Sequence, residues 1–491
     1  MCAPRCLMRF LRLLALCLGA SALLAACATR PPDPEPVDLL APAQWHAPLP
    51  QEDSPTLLAH WWREPGDALL IELIESAQAA SPTIASAMAR IAEARASRVA
   101  AGAALAPTLD GSLTTSHDNS LAGSMPKVFG ITIPPMTTSR AALQAGWEID
   151  LFGGARANRD AAQAQFEGAQ ARWHAARISV AADTTLTYHD ERACQRQALV
   201  LAADARSRAE TARLTTLAAD AGFQAQADAQ RAQASASDGH SRLTQQRSAC
   251  TVLRKALVAL TGLDAATLDA KLDAAPIDPP LPTLHSIDSV PAQALSQRPD
   301  LYAAERAVAA ASAQAGAAQA QRYPRLTLQG LISRVEFRSG GLSQGLDTWS
   351  FGPLTLTLPI FDGGRRAAEA DAARARYDEA LSQYRASVRQ AVREVEEALV
   401  ALHSADARTA DAQSAATNFE SAFNATQARY KAGMASLFEL EDARRTLLAA
   451  QIALTGLQRD RAEALVALYR AMGGGWSREQ ETIPSRASIS P

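Results

Sequence analysis

The chain is poor in aromatic side chains, in cysteine and in long apolar runs, and each scarcity excludes a class of protein. Only 5% of its 491 residues are Phe, Trp or Tyr although 48% are hydrophobic, so alanine supplies most of the apolar content. Alanine is the strongest helix former and a small packer, which favours long, closely packed helices over a bulky core. Past the first 27 residues no run is long and apolar enough for a membrane-crossing helix, which needs about 20 residues. The eight histidines are scattered and show no HExxH or CxxC spacing, so no metal-ligand pattern stands out. No P-loop is present, and His189-Asp190-Glu191 reads as a solvated patch in mid-helix, which leaves an enzyme no residues to stand on. A net charge of -3 with 20% charged residues does not suggest a nucleic-acid partner.

What is present begins with an export leader. Arg5, Arg9 and Arg12 form a basic start, and Leu13 to Leu24 an apolar stretch too short to span a bilayer. It ends in Leu24-Ala25-Ala26-Cys27, which resembles the lipobox of bacterial lipoproteins. That resemblance implies a signal peptide over 1–26 and S-diacylglycerol and N-acyl groups on Cys27, with no other cofactor. The alternative is an ordinary signal peptide cut near Ala-x-Ala. Ala28, rather than an aspartate, follows the cysteine, which by the same resemblance implies the outer membrane. Pro31-Pro32-Asp33-Pro34-Glu35-Pro36 then reads as a stiff tether. Cys2, Cys6 and Cys17 fall in the leader, and Cys194 and Cys250 remain as an even pair in an oxidising compartment.

The mature chain tells one structural story twice. Pro82 and Pro299 each open an Ala-rich helical stretch that ends at Pro107 and Pro324, an offset of 217 in both cases. A glycine corner follows, Phe152-Gly153-Gly154 and then Phe361-Asp362-Gly363-Gly364, offset by 209. Further on, Ala221-Gly222 corresponds to Ala432-Gly433, offset by 211. Units this long are duplicated domains rather than solenoid repeats. The expected layout is an N-terminal segment over 27–81, a first repeat over 82–262 and a connector over 263–298. A second repeat over 299–473 and a polar, mobile tail over 474–491 complete it.

Within each repeat the period changes from helical to two. From Arg140 to Leu151 every second residue is apolar (Ala141, Leu143, Ala145, Trp147, Ile149, Leu151) and Arg140, Gln144, Glu148 and Asp150 fall between them, so one face is wholly apolar. Residues 108–116 read as its partner strand, with a hairpin loop over about 118–137. In the second repeat the strands are expected at Leu326–Ser333 and Ser350–Ile360, with Pro353 and Pro359 weakening or ending the last. After each corner comes a very long helix, about 155–219 and 366–431, with return helices over about 224–262 and 435–472. Four strands with an apolar, lipid-facing side cannot close by themselves, because open sheet edges are not satisfied in hydrocarbon. The chain is therefore expected to oligomerise through its strands above a helical tube. The bland alternative is a lipid-anchored helical rod without a lumen.

These residues resemble the TolC-type outer-membrane efflux proteins, in particular their lipid-anchored, NodT-like branch. The resemblance is carried by Trp61-Trp62, Arg298-Pro299-Asp300-Leu301, Pro324, Leu358-Pro359-Ile360-Phe361-Asp362-Gly363-Gly364 and Arg429-Tyr430-Lys431-Ala432-Gly433. It implies a mainly α protein with transmembrane β: a homotrimer whose three chains share a 12-stranded barrel continued by a periplasmic helical tunnel. It further implies an exit duct for small molecules, not an enzyme, fed by a periplasmic adaptor and an inner-membrane pump, here of the RND type. A duct for protein secretion and a structural coiled-helix lipoprotein are the alternatives.

By the same resemblance the acidic pore constriction falls on Glu439 and Asp442, where three chains would stack two carboxylate rings that favour cations. The adaptor would dock at helix tips around Gly222, Arg429, Gly433 and Ser436. The first-copy turn departs from the family pattern, with Ala218 or Ala219 in place of an arginine and Ala225 in place of Ser436. Cys194 lies 28 residues before Gly222 and Cys250 lies 28 after it. On antiparallel neighbouring helices the two should therefore reach one height and form an intrachain disulfide.

Overall fold

The computed structural model describes residues 45–47, 67–118, 135–279 and 295–476. Cys27, the proline tether, Trp61-Trp62, most of the expected loop over 118–137 and residues 477–491 lie outside the described residues. In chain order the elements are α1 (Ala68–Ala80), α2 (Pro82–Ala103), β1 (Thr108–Asp118), β2 (Met136–Ile149), α3 (Gly154–Asp220), α4 (Gln226–Thr261) and α5 (Ala265–Ala274). They continue with α6 (Pro299–Ala320), β3 (Arg325–Ser339), β4 (Leu342–Thr357), α7 (Arg365–Lys431), α8 (Leu437–Ala471) and a 3-10 turn at Gly473–Gly475. The duplication is visible in helix length. The opening helices α2 and α6 have 22 residues each, the long helices α3 and α7 have 67 each, and the return helices α4 and α8 have 36 and 35. At 1.5 Å per residue a long helix is about 100 Å from end to end.

The chain divides into two compact units, and the first, holding residues 90–169 and 304–384, contains the sheet. The order is β1-β2-β3-β4, antiparallel throughout. Side chains alternate between faces with period two, and the register places rows of like character together. One face carries Leu143, Ile332 and Trp349 in one row and Trp147, Leu328 and Leu354 in another. The opposite face carries Ser333 bonded to Thr348 at 2.9 Å, and Glu148 paired with Arg325 at 2.5 Å. The second hairpin is longer than the alternation suggests. β3 and β4 run out to a tight turn at Gly340-Gly341, both with positive φ as hairpin turns of this length demand. Arg334, Glu336 and Arg338 carry the strands past the apolar band, so apolar periodicity faded before the strand did. β4 also passes through Pro353, next to a bulge opposite Leu328 and Gly330, rather than starting at Ser350. A bulged edge strand has no ladder bond for that proline to break. Gly341-Leu342-Ser343-Gln344-Gly345 has the GxSxG spelling of a hydrolase nucleophile elbow. It lies at the hairpin turn and the start of β4, without the strand-to-helix turn that chemistry needs.

The two glycine corners share a device. Asp150 accepts from the backbone N–H of Ala155 and Arg156 at 3.2 and 2.9 Å, and Asp362 accepts from Gly364 and Arg366 at 3.1 and 3.3 Å. Each carboxylate satisfies orphan donors at the start of a long helix.

The second unit holds the remaining described residues. Its main apolar cluster brings Leu70, Leu73 and Ile74 of α1 against Tyr188 of α3, Leu257 of α4, and Leu268 and Leu272 of α5. Asp67 caps α1 and accepts the Tyr188 hydroxyl at 2.8 Å; burial, then that bond, pushes the tyrosine well above its ordinary pKa. About half of the residues that the long helices bury are alanines, consistent with close helix approach, but His189 and Glu191 are buried rather than solvated as expected, because Glu191 is paired with Arg192 at 2.7 Å and with Arg254 of α4 at 2.9 Å. Arg298 of the Arg-Pro-Asp motif donates to the last carbonyl of α8, Ala471 O, at 2.9 Å and pairs with Asp300 and Glu394. Near the N-terminus, His46 N–H and Ala47 N–H donate to the Glu396 carboxylate at 2.7 and 2.8 Å.

The tail departs from expectation at its start. Gly474, Gly475 and Trp476 belong to an ordered turn, with Trp476 buried beside Tyr302 and His174. A Cβ at Gly473 would lie 2.2 Å from Gln297 O, so only glycine admits this close approach.

Candidate functional site: the two helix reversals

Each long helix reverses into its return helix through the same backbone turn. At the first, Gly222 has φ 80°, Phe223 N–H donates to Ala218 O at 2.8 Å and Gly222 N–H to Ala219 O at 3.0 Å. At the second, Gly433 has φ 74°, Met434 N–H donates to Arg429 O at 2.8 Å and Gly433 N–H to Tyr430 O at 3.0 Å. Both are Schellman closures, in which a left-handed glycine lets two orphan carbonyls be satisfied.

The side chains diverge from that common backbone. Ser436 and Glu439 form a capping box at the start of α8, with Glu439 N–H donating to Ser436 Oγ at 3.2 Å and Ser436 N–H to Glu439 Oε2 at 2.6 Å. That backbone bond, reinforced by the Ser436 side chain and opposed by slight desolvation, holds the Glu439 carboxyl below the usual glutamate range. Arg429 ties the turn by donating to Met434 O at 3.2 Å. At the start of α4 the corresponding Ala225 makes no side-chain cap.

The acidic triplet of α8 splits between two environments. Glu439 and Asp442 are exposed, and Asp442 accepts from Arg445 Nη2 at 2.5 Å. Glu441 turns inward into a buried network that sequence reasoning did not find. Arg208 of α3 pairs with Asp204 at 2.8 Å and donates to Ser235 Oγ of α4 at 2.6 Å and to Glu441 Oε2 at 3.3 Å. Arg444 of α8 pairs with Glu441 and donates to Ser207 Oγ at 3.1 Å and Thr211 Oγ1 at 2.9 Å. Thr215 and Tyr430 join by a 2.8 Å bond between hydroxyls. Two arginines and two carboxylates thus link α3, α4 and α8, and their charges balance. Gly239 makes room for this, since a Cβ there would sit 2.7 Å from Arg208 Cδ. The available sequence signal was the pair of short spacings Asp204–Arg208 and Glu441–Arg444 in alanine-rich helices, which equally describes ordinary surface pairs.

Cys194 of α3 and Cys250 of α4 are joined by a disulfide with a Cα–Cα distance of 5.5 Å. The second copy has Ala405 and Arg461 at the corresponding positions, and there Arg461 Nε meets Asp406 Oδ1 at 2.5 Å instead. Among the described residues no cluster of His, Cys, Asp or Glu is arranged to hold a metal ion.

Comparisons with known proteins agree with this geometry. A family model described as outer membrane efflux protein matches residues 73–263 and 290–474, one stretch for each repeat. The chain is 31% identical over 473 residues to the pyoverdine export outer membrane protein OpmQ of Pseudomonas putida, covering 95% of this chain and 98% of that one. It is 29% identical to nodulation protein T of Rhizobium leguminosarum bv. viciae, covering 95% and 94%. Among solved structures, the outer-membrane channel OprN superposes with a TM-score of 0.81 at 26% identity, covering 91% of this chain and 99% of OprN. The outer membrane protein VceC of Vibrio cholerae gives 0.73 at 26% identity, covering 86% and 100%. The chain belongs to the outer membrane efflux protein family and is an outer-membrane exit duct that extends into the periplasm, not an enzyme.

Proposed function

We propose that three copies of this chain, anchored by lipid on Cys27, form a trimeric duct that receives small molecules from a periplasmic adaptor and an RND-type inner-membrane pump. The observation that carries this reading is the sheet. Among the described residues its four strands leave β1 and β4 as unpaired edges, and one of its faces is apolar. Open edges are untenable in hydrocarbon, and three chains would close twelve strands.

The reversals are the proposed adaptor-docking surface, at Gly222 in the first and at Arg429, Gly433 and Ser436 in the second. Phe223, Met434 and Phe438 lie exposed around them, as apolar contacts for a partner. Glu439 and Asp442 would line the constriction from exposed positions on α8. Arg445 beside Asp442 makes Glu439 the stronger contributor of net negative charge. Relatives include a cation efflux system protein of Escherichia coli and a toluene efflux pump outer membrane protein of Pseudomonas putida. Substrate choice would rest with the pump.

The test pairs accumulation of a fluorescent cationic dye in cells with and without the gene with the native mass of the detergent-extracted protein. Greater accumulation without the gene, reversed by complementation, together with a mass of three chains, supports the reading. A single-chain mass rejects it.

A further inference from the structure

The polar face of the sheet is not polar throughout. In the half of the strands away from the helices, β3 and β4 put Val335, Phe337 and Leu346 on the face that carries Ser333 and Thr348, with Val335 directly opposite Leu346. Leu346 is 52% exposed, and Val335 and Phe337 are half-buried. The same rows continue onto β2 with Arg140 opposite Val335 and Thr138 opposite Phe337, and onto β1 with Thr114 and Ser116 opposite those. One side of this band is therefore apolar, and the other offers hydroxyls and a guanidinium.

Arg140 is exposed and, among the described residues, has no hydrogen bond or ion pair. The other charges of this face lie elsewhere. Glu148 and Arg325 pair with each other at the helical end, and Glu148 is about 27 Å along β2 from Arg140. Asp110 and Asp118 each lie four residues along β1 from Thr114, about 13 Å away. Arg334 and Arg338 project from the opposite face, where Asp347 and Glu336 pair with them.

A guanidinium without a carboxylate, beside an exposed apolar patch, has the two parts that hold an amphiphilic anion. Its planar fork of donors takes a carboxylate or sulfonate, and the patch takes an aryl or alkyl body. We propose that Arg140, Val335, Phe337 and Leu346 form a contact site for organic anions with an aromatic or alkyl body on the inner wall of the duct, towards its outer end. The site rests on the trimer reading, in which the apolar face meets lipid and this face lines the lumen, and it adds a class of cargo to that reading. One exposed cation and a small patch bind weakly, as a passage requires, because cargo that enters must also leave.

The experiment uses the full chain in phosphatidylcholine nanodiscs, with empty nanodiscs subtracted, and titrates naphthoate and its neutral amide by their fluorescence. Wild type should bind naphthoate about tenfold more tightly than the amide, the order of one charge-assisted hydrogen bond, and the preference should shrink as salt is raised. Arg140→Gln should remove the preference and Arg140→Lys should keep most of it. Val335→Ser with Leu346→Ser should weaken both probes at least threefold. The native mass of each detergent-extracted variant reports its assembly. A trimeric mass with naphthoate binding unchanged by Arg140→Gln overturns the site and leaves the duct standing. A wild-type mass of one chain rejects the trimer, and the lumen site with it.

Discussion

The two helix reversals share a backbone and differ in what fixes them. Both close on a left-handed glycine with the same two hydrogen bonds. The second is then held by a capping box, by Leu437 and Leu440 in an apolar cluster, and by Glu441 and Arg444 in the buried network. The first has Ala225, Gln226, Ala229, Gln230 and Gln233 at those positions, without a side-chain cap, and there Gln233 Nε2 donates to Thr216 Oγ1 at 3.1 Å. What it has instead is a covalent link between Cys194 and Cys250, where the second copy has one exposed ion pair. Duplication supplied one geometry twice. Side-chain divergence then added a covalent crosslink to the first helix pair and left the second to non-covalent contacts alone.

Substitutions in the second copy and at its first-copy counterparts can break this contrast. The largest effect is expected at Arg444→Leu. It leaves Glu441 and Asp204 with one cation between them in a buried site, and breaking such a network costs about 3–5 kcal/mol. Hydrogen exchange over α8 should rise sharply, whereas Gln233→Leu at the corresponding exposed position of α4 should leave exchange nearly unchanged. Equal behaviour of the two would show that the network does not set the difference.

Next in size is loss of the disulfide. Cys194→Ser with Cys250→Ser removes a link closing 56 residues of chain, worth typically 2–4 kcal/mol. Thermal unfolding should fall and limited proteolysis should open the first reversal before the second. Cleavage at the second first would reverse the assignment. Ser436→Ala is expected to cost about 1 kcal/mol through the lost cap, while Ala225→Ser should recover a few tenths to 1 kcal/mol in the first copy, both read from chemical denaturation.

The smallest effects are electrostatic. Arg461→Ala breaks a half-exposed pair and should change stability by less than about 1 kcal/mol. The Glu439 carboxyl sits below its ordinary value of 4.5 in the folded chain. A depressed carboxylate contributes stability that is fully present above the unfolded value and lost as pH falls through the folded one. The second reversal should therefore loosen below about pH 4.5 before the first does, and Glu439→Gln should abolish that difference in a pH series of hydrogen exchange.

Much of this was legible because the signals were local and repeated. Pro82, Pro107, Pro299 and Pro324 bracket helices that the structure places between them, and Gly222 and Gly433 close helices as left-handed glycines do. The alternation over 140–151 gave β2 and its faces. The extent of β3 and β4 was not legible, because above the apolar band charged residues continue the ladder without an apolar period. The ordered Gly473–Trp476 turn was missed for a related reason. A glycine run reads as flexible unless one sees Gln297 O at the distance only glycine allows.

Sequence alone determined the duplication, most of the helix and strand elements and the apolar sheet face, since propensity, period and capping act over a few residues. Tertiary structure alone decided that Glu441 and not its neighbours turns inward, and that Arg208 passes over Gly239 to reach it. These depend on which residues from distant helices share a buried site, where an unpaired charge is costly enough to select its partners.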